Sequence, residues 1–331
     1  MIRNKLTLVL IGVLALMTGC KNNSHSLLPN VSGKAGEVLV VIEREDWEGS
    51  TGVAIRETLA DDTPYLALRE PLFNLSNVPP ASFNNMFKMH RNIVLVNVNP
   101  QNTSTGVVYK NNVWARPQAV VQINAADSDE ACRLFKEKAS VISEYFEQSE
   151  RDRIIENSKR YEEKQLQEPL KDLTGGILHF PTGYALKKWT DSFVWIADEK
   201  QYTMQTVMAY KFPVRKEPFT VANLVAERDS VMQANVPGMF EGSYMTTSTA
   251  FEPVAKSLRY HGRDFVELRG FWEVHGDFMG GPFVSHAFYS PDGKEIIVLE
   301  AFVFAPRYDK RQYLRQVESV LYSFEWKKDE K

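Results

Sequence analysis

One short segment of the sequence contains two histidines and two carboxylates at spacings that suit chemistry. These residues are His275, His286, Asp277 and Glu273. If Gly280 and Gly281 form a two-residue hairpin turn, the two histidines face each other and the carboxylates lie on the same face. Two imidazoles and a carboxylate are a donor set that zinc accepts, and a coupled imidazole pair also suits acid–base catalysis. The segment therefore predicts a zinc site or a catalytic site.

An ordinary polar sheet face explains the same residues without any chemistry. Cross-strand polar pairs are common on solvated faces, the spacing matches no established metal motif, and the pairing depends on the assumed turn. The sequence also contains no nucleophile elbow, no His-Glu-x-x-His motif and no Cys-x-x-Cys pair. Two classes of function therefore stay open, an enzyme that uses this histidine pair and a binding protein without catalysis.

The first twenty residues have the layout of a secretory signal. Arg3 and Lys5 form a basic start, and an apolar run of about a dozen residues follows, too short to span a bilayer. The run ends in residues 16–20, LMTGC, which resemble a bacterial lipobox. In such signals the cysteine is acylated and becomes the first residue after cleavage. We therefore expect a lipoprotein signal peptide at 1–19 and a lipid anchor at Cys20 that attaches the chain to a bilayer.

The segment after Cys20 is polar and contains Asn, Ser, Pro and Gly, so residues 20–35 are predicted to form a flexible tether. No acidic run follows the cysteine, and this favours a position in the outer membrane facing the periplasm. Acylation leaves Cys132 as the only free thiol, and its amphipathic surroundings predict a small buried apolar side chain.

The composition is that of a globular protein, with 44% hydrophobic and 24% charged residues and a net charge of -3. No basic stripe of the kind that binds nucleic acid is present, so nucleic acid is not an expected partner. About 310 residues remain after the signal, which is enough for two domains. No cofactor is expected, apart from the zinc that the histidine pair would hold.

The order of the predicted elements indicates an α+β fold in two lobes, with mainly antiparallel sheets packed against helices. Apolar runs such as EVLVVIE and NIVLVNV read as buried strands, and a long charged helix from Asp127 to about residue 167 follows them. The expected domains are 36–172, which includes this helix, and 173–326. In the second domain the order of strands, helix, meander and helix resembles the sheet-between-helices sandwich of the Mog1/PsbP type.

Several stretches together resemble a family of uncharacterised Bacteroidetes lipoproteins. They are the lipobox, the EVLVVIE and NIVLVNV strands, the long charged helix and the segment LRGFWEVHGDFMGGPFVSHAFY with its following DGK. The resemblance covers nearly the whole mature chain and implies no activity and no catalytic residues, because the family has none assigned.

The favoured function is therefore a membrane-tethered periplasmic lipoprotein that binds a partner or supports envelope assembly. Its partner would be an envelope protein or a glycan. The alternative is a metal-dependent or acid–base envelope enzyme that uses His275, His286 and Asp277.

Overall fold

The computed structural model describes residues 28–327. The predicted signal peptide at 1–19 and the predicted anchor at Cys20 lie outside the described residues. Between residues 28 and 327, no helix combines the length and the apolar character that crossing a membrane requires.

Helices and strands are labelled here in chain order. The described part of the chain contains the α-helices α1 Arg44–Glu48, α2 Ser50–Leu59, α3 Asn85–Lys88, α4 Ser128–Arg160, α5 Gln167–Thr174, α6 Val221–Asn235 and α7 Arg311–Tyr322. Its strands are β1 Glu37–Val41, β2 Asn74–Val78, β3 Asn92–Val98, β4 Gly106–Asn111, β5 Ala119–Ala125, β6 Gly176–Ile177, β7 Ala185–Trp189, β8 Phe193–Lys200, β9 Thr203–Pro213, β10 Tyr244–Thr247, β11 Val254–Tyr260, β12 Arg263–His275, β13 Gly280–Tyr289, β14 Glu295–Phe304 and β15 Glu325–Trp326.

The first domain is built on a five-stranded sheet with the order β2-β1-β3-β5-β4. Three of its four strand pairings are parallel, and only β4 pairs with β5 in the antiparallel sense. The expectation of mainly antiparallel sheets is therefore wrong for this domain. Its central strands are continuous apolar runs because helices cover the sheet, and this is the usual setting of parallel strands.

Helices α2 and α4 cover one face of this sheet and form a core with it that includes Val94, Phe135 and Phe146. Helix α4 begins where the sequence predicts, since the Asp127 side chain accepts a hydrogen bond from the backbone N–H of Glu130 at 2.8 Å. Cys132 is buried in this core, as expected.

The first described residues are part of the fold. Residues 29–33, which lie within the predicted tether, run beside the first domain and form bridges from Asn30 to Arg116 and from Ser32 to His90. This part of the predicted tether therefore belongs to the folded first domain.

The second domain is built on an eight-stranded antiparallel sheet with the order β10-β12-β13-β14-β9-β8-β7, in which β11 also pairs with β12. Helices α5 and α7 cover one face and helix α6 covers the other. The α+β class and the predicted sheet between helices are thus confirmed. Leu166, Leu170 and Leu173 pack in the core of this domain, so α5 belongs to it structurally.

Candidate functional site

The structure does not bring the two predicted histidines together. Glu267 of β12, rather than His275, lies opposite His286, and Glu273 lies opposite Gly280. His275 is eight residues along the strand from Glu267, which corresponds to about 26 Å. The predicted pairing of the two histidines is therefore wrong.

The error has a clear physical cause. The turn is formed by residues 276–279, with Gly276 at a φ of 85°, and not by the two glycines. Gly280 and Gly281 lie within β13, where a Cβ on Gly281 would be 2.2 Å from the carbonyl oxygen of Val303 and 2.9 Å from the Trp272 ring. These glycines are needed for close packing, because no side chain fits there.

The other predicted site residues are also separate from His286. The His275 ring is exposed and stacks on Tyr244 at 5.0 Å between ring centroids. The Asp277 carboxylate accepts a hydrogen bond from the backbone N–H of Phe278 in the turn. Across residues 28–327, no group of three or more His, Cys, Asp or Glu side chains is arranged to hold a metal ion. The donor set expected for zinc is therefore not assembled.

The candidate site is a cleft of about 700 Å³ between the two domains. Helix α4 and the loop at residues 61–72 line it from the first domain, and β11, β12 and α7 line it from the second. Large clefts at domain interfaces are the usual location of ligand sites. Much of its wall is apolar or aromatic: Leu72, Val141, Tyr145, Leu258, Tyr260 and Leu314.

One face of the β11–β12 ladder forms the floor of the cleft. Side chains alternate along a strand, so Phe265, Glu267 and Arg269 all point toward the cleft, as does Lys256, which lies opposite Glu267. This face also carries the second domain's core residues beneath α7. The pleat of β12 therefore places charged groups beside a hydrophobic core.

These charges form a nearly buried network with α4 and α7. Arg269 makes two hydrogen bonds with the Glu318 carboxylate, at 2.6 and 3.3 Å, and one with Glu267 at 2.6 Å. Arg151 of α4 reaches Glu318 at 3.3 Å, and its guanidinium lies 3.7 Å from the Tyr322 ring centroid. Since Arg151 belongs to the first domain and Glu318 to the second, the network connects the domains.

The network fixes the ionisation of its members. Burial alone would raise the pKa of Glu318, but Arg269 and Arg151 hold it below its usual value. Burial would also raise the pKa of Glu267, but Arg269 and the neighbouring His286 together lower it below its usual value. Both carboxylates therefore stay charged at neutral pH and keep their arginines occupied.

His286 lies directly beneath this network. It is fully buried between Phe265 and Tyr322, with ring centroids at 4.2 and 4.7 Å. Its Nε2 is 3.6 Å from the Glu267 carboxylate, beyond hydrogen-bond distance, and neither ring nitrogen has a hydrogen-bond partner among residues 28–327. Burial lowers its pKa to about 4 in spite of Glu267, so the imidazole is neutral at physiological pH.

This histidine makes stability depend on pH. Its pKa falls from 6.5 to about 4 on folding, so the unfolded state binds a proton first as the pH falls below 6.5. The free energy of unfolding is therefore unaffected by this histidine above pH 6.5 and decreases as the pH falls toward 4. The full decrease amounts to about 3 kcal/mol. We expect His286→Phe to flatten the pH dependence of the unfolding free energy between pH 6.5 and 4, measured by urea unfolding. His275→Phe is the matched control and should leave the slope unchanged; equal slopes in all three proteins would contradict the assignment.

A loop of the first domain partly covers the cleft. Residues 61–72 fold back on themselves through hydrogen bonds from Thr63 N to Glu70 O and from Leu72 N to Asp61 O. The Glu70 carboxylate accepts hydrogen bonds from the backbone N–H groups of Lys310 and Arg311 at the start of α7. Leu66 packs against the core of the second domain. Tyr65 has a φ of 61°, an unusual value for a residue other than glycine. The loop therefore joins the domains at one side of the cleft.

Sequence reasoning missed most of this site because its residues come from distant segments. A local signal was present in the alternation of Arg263, Glu267 and Arg269 with apolar residues in β12. A second signal was Glu318 on the apolar face of the otherwise amphipathic helix α7. Charged residues at core positions indicate buried ion pairs.

Fold and site together define a two-domain α+β protein with a ligand-sized cleft between its domains. Residues 31–159 match the family described as Domain of unknown function (DUF8532), and residues 163–323 match Domain of unknown function (DUF4837). The chain thus contains two domains of unknown function, which confirms the expected likeness to an uncharacterised family, while its Bacteroidetes origin stays a prediction. No curated protein matches the sequence.

Several solved structures are similar to parts of the chain. The Ran-binding protein Mog1p of Saccharomyces cerevisiae is 6% identical, with a TM-score of 0.32, over 46% of this chain and 90% of its own. LpqN of Mycobacterium tuberculosis, involved in cell envelope biogenesis, is 16% identical, with a TM-score of 0.27, over 44% and 79%. Human STARD10 is 8% identical, with a TM-score of 0.23, over 48% and 73%. Similarities this low identify no function.

Proposed function

We propose that this protein is a lipid-anchored component of the cell envelope that binds a ligand or partner in the cleft between its two domains. The observation that carries the proposal is the cleft itself, a concave surface with largely apolar walls and a floor of fixed, paired charges. The anchor rests on the lipobox at Cys20, and the periplasmic side of the outer membrane remains the location that the sequence favours.

The polar atoms of the cleft support binding. The Tyr109 hydroxyl and the Thr63 hydroxyl belong to residues that line it, and both are buried without a hydrogen-bond partner within residues 28–327. Buried polar groups normally have partners, and a side-chain rotation that opens either hydroxyl to the cleft would let a ligand supply one.

The geometry gives less support to an enzyme. A general acid or base must come within hydrogen-bond distance of its substrate. His286 is fully buried behind Phe265 and Tyr322, and His275 is remote from it. The charged groups of the floor are paired with one another in a way that suits a rigid binding surface.

Filling the cleft should abolish binding. Val141 lies on α4, is 47% exposed and lines the cleft, so Val141→Trp places an indole in the ligand space. We expect wild-type protein, released from envelopes in detergent-free polymer discs, to carry a bound mass in native mass spectrometry that this variant lacks. The same spectrum reports whether the chain begins at an acylated Cys20.

Val53→Trp is the matched control, because Val53 is 41% exposed on helix α2 and is not part of the cleft. Both variants should unfold within about 0.5 kcal/mol of wild type, as is usual for surface substitutions. An identical bound mass in all three proteins, or none in any of them, contradicts the cleft as the binding site. An unmodified Cys20 contradicts the anchor.

A further inference from the structure

The charges that line the cleft are unbalanced. Six cationic side chains line it: Arg151, Lys256, Arg259, Arg269, Arg311 and Arg315. Only four acidic side chains do so: Glu144, Glu147, Glu267 and Glu318. The chain as a whole carries a net charge of -3, so this excess of positive charge is local to the cleft. Such a concave surface attracts anions and raises their local concentration.

Pairing within the site leaves particular cations unneutralised. Arg151 and Arg269 are bound to the network carboxylates Glu267 and Glu318. Arg315 pairs with Glu147. Lys256 and Arg311 form no ion pair with any carboxylate of the described residues; Arg311 donates to the Pro71 carbonyl and to Asn74 instead. Arg259 is 3.6 Å from Asp264, and both side chains are mostly exposed, so that pair is weak.

Two hydroxyl groups belong to residues that line the cleft. Burial raises the pKa of Tyr109, so its hydroxyl stays protonated and can donate a hydrogen bond to an anionic oxygen. The Thr63 hydroxyl likewise has no hydrogen-bond partner in the described part of the chain. Carboxylate and phosphate oxygens accept such bonds readily and strongly.

Most of the remaining wall consists of side chains without charge. Leu258 is at the floor, Leu314 is on α7 and Val141 is on α4. The rings of Tyr145 and Tyr260 complete the surface. A small inorganic anion would leave this apolar surface in contact with water, whereas an apolar chain would remove it from water and bind more tightly with each buried methylene.

We propose that the ligand is an amphipathic anion, an apolar body that carries one carboxylate or phosphate group. This inference rests on the proposed binding function and names the chemical class of its ligand. Lys256 and Arg311 attract the anionic group, and the apolar walls hold the body.

The test uses the mature chain, residues 20–331, with Cys20→Ser so that no attached acyl chain competes. Isothermal titration calorimetry compares laurate and dodecyl phosphate with dodecylamine, neutral dodecanol and inorganic phosphate, each below its micelle concentration. We expect either or both amphipathic anions to bind at least about ten-fold more tightly than dodecanol or dodecylamine, as one partly screened charge contact allows. The ratio of the affinities for laurate and dodecyl phosphate shows whether the site prefers a carboxylate or a phosphate group.

Lys256→Gln should weaken anion binding about ten-fold and leave dodecanol binding unchanged, because it removes charge and little else. Lys138→Gln is the control, since Lys138 is exposed on α4 and is not part of the cleft. If dodecanol or dodecylamine binds as tightly as the amphipathic anions or more tightly, the ligand is not an anion. If Val141→Trp also abolishes that binding, the cleft is still the binding site. Inorganic phosphate that binds as tightly as laurate overturns the amphipathic class, as does a failure of all five compounds to bind.

Discussion

Replacement of Glu318 by alanine is expected to lower the free energy of unfolding by about 3–5 kcal/mol, because it leaves the nearly buried Arg151 without a paired carboxylate and Arg269 with Glu267 alone. Glu318 accepts two hydrogen bonds from Arg269 and lies 3.3 Å from Arg151. Arg151 is on α4 and Glu318 is on α7, so the substitution also loosens the contact between the domains. Urea unfolding should therefore show a lower midpoint, with the two domains separating into distinct transitions.

The matched control is Glu137→Ala, which removes a carboxylate from an exposed pair with Arg133 four residues away on α4. Little change is expected there, because exposed pairs contribute little to stability. A loss below about 1 kcal/mol for Glu318→Ala, the range of an exposed pair, would show that water reaches the network and that the cleft floor is not rigid.

The second large effect concerns the opposite face of the same sheet. Arg228 of α6 is 1% exposed and lies within 2.8 Å of the Glu300 carboxylate, and its guanidinium is 3.9 Å from the Phe283 ring centroid. The Tyr210 hydroxyl donates to the same carboxylate at 3.0 Å. We expect Arg228→Met to cost about 3–5 kcal/mol at neutral pH, because Glu300 loses its counter-charge while it stays buried.

The pH dependence of this loss has a defined sign. Burial holds the pKa of Glu300 above its usual value even beside Arg228, and without the arginine the pKa rises further. A raised pKa favours the folded state at low pH, so the destabilisation should shrink as the pH falls from 7 toward 4.5. Urea unfolding at both pH values tests this expectation.

A double variant distinguishes the contribution of the Arg228–Glu300 ion pair to stability from the contribution of side-chain packing. Arg228→Met with Glu300→Leu removes both charges, and it should recover most of the lost stability, since a buried pair contributes little compared with apolar packing. Arg160→Met, at an exposed position on α4, is the control for the arginine change. Additive losses in the double variant would show that Arg228 acts mainly through its packing on Phe283.

Much of the fold could be predicted because the signals are local. The run EVLVVIE predicted a buried strand and β1 is one; the capping residue Asp127 predicted the start of α4, and the helix begins there. The α+β class and the sheet between helices of the second domain followed from the order of such elements. The strand direction in the first domain did not, because it depends on which strands pair across long connections.

The candidate site could not be predicted, because the sequence leaves the register of β12 and β13 open. The two glycines looked like a turn, yet the Trp272 ring and the Val303 carbonyl, contacts from within the folded sheet, require glycine at Gly281. A different turn shifts every cross-strand pair, and so His286 lies opposite Glu267 instead of His275.

The sequence by itself therefore determined the features that depend on neighbouring residues: the apolar strands, the long capped helix, the two-domain order and the lipobox whose cysteine remains a predicted anchor. The tertiary structure alone decided the cleft and its charge network, since Arg151, Arg269 and Glu318 come from three segments. Residue spacing along a chain sets periodicity, but only packing between domains brings distant charges together and buries them.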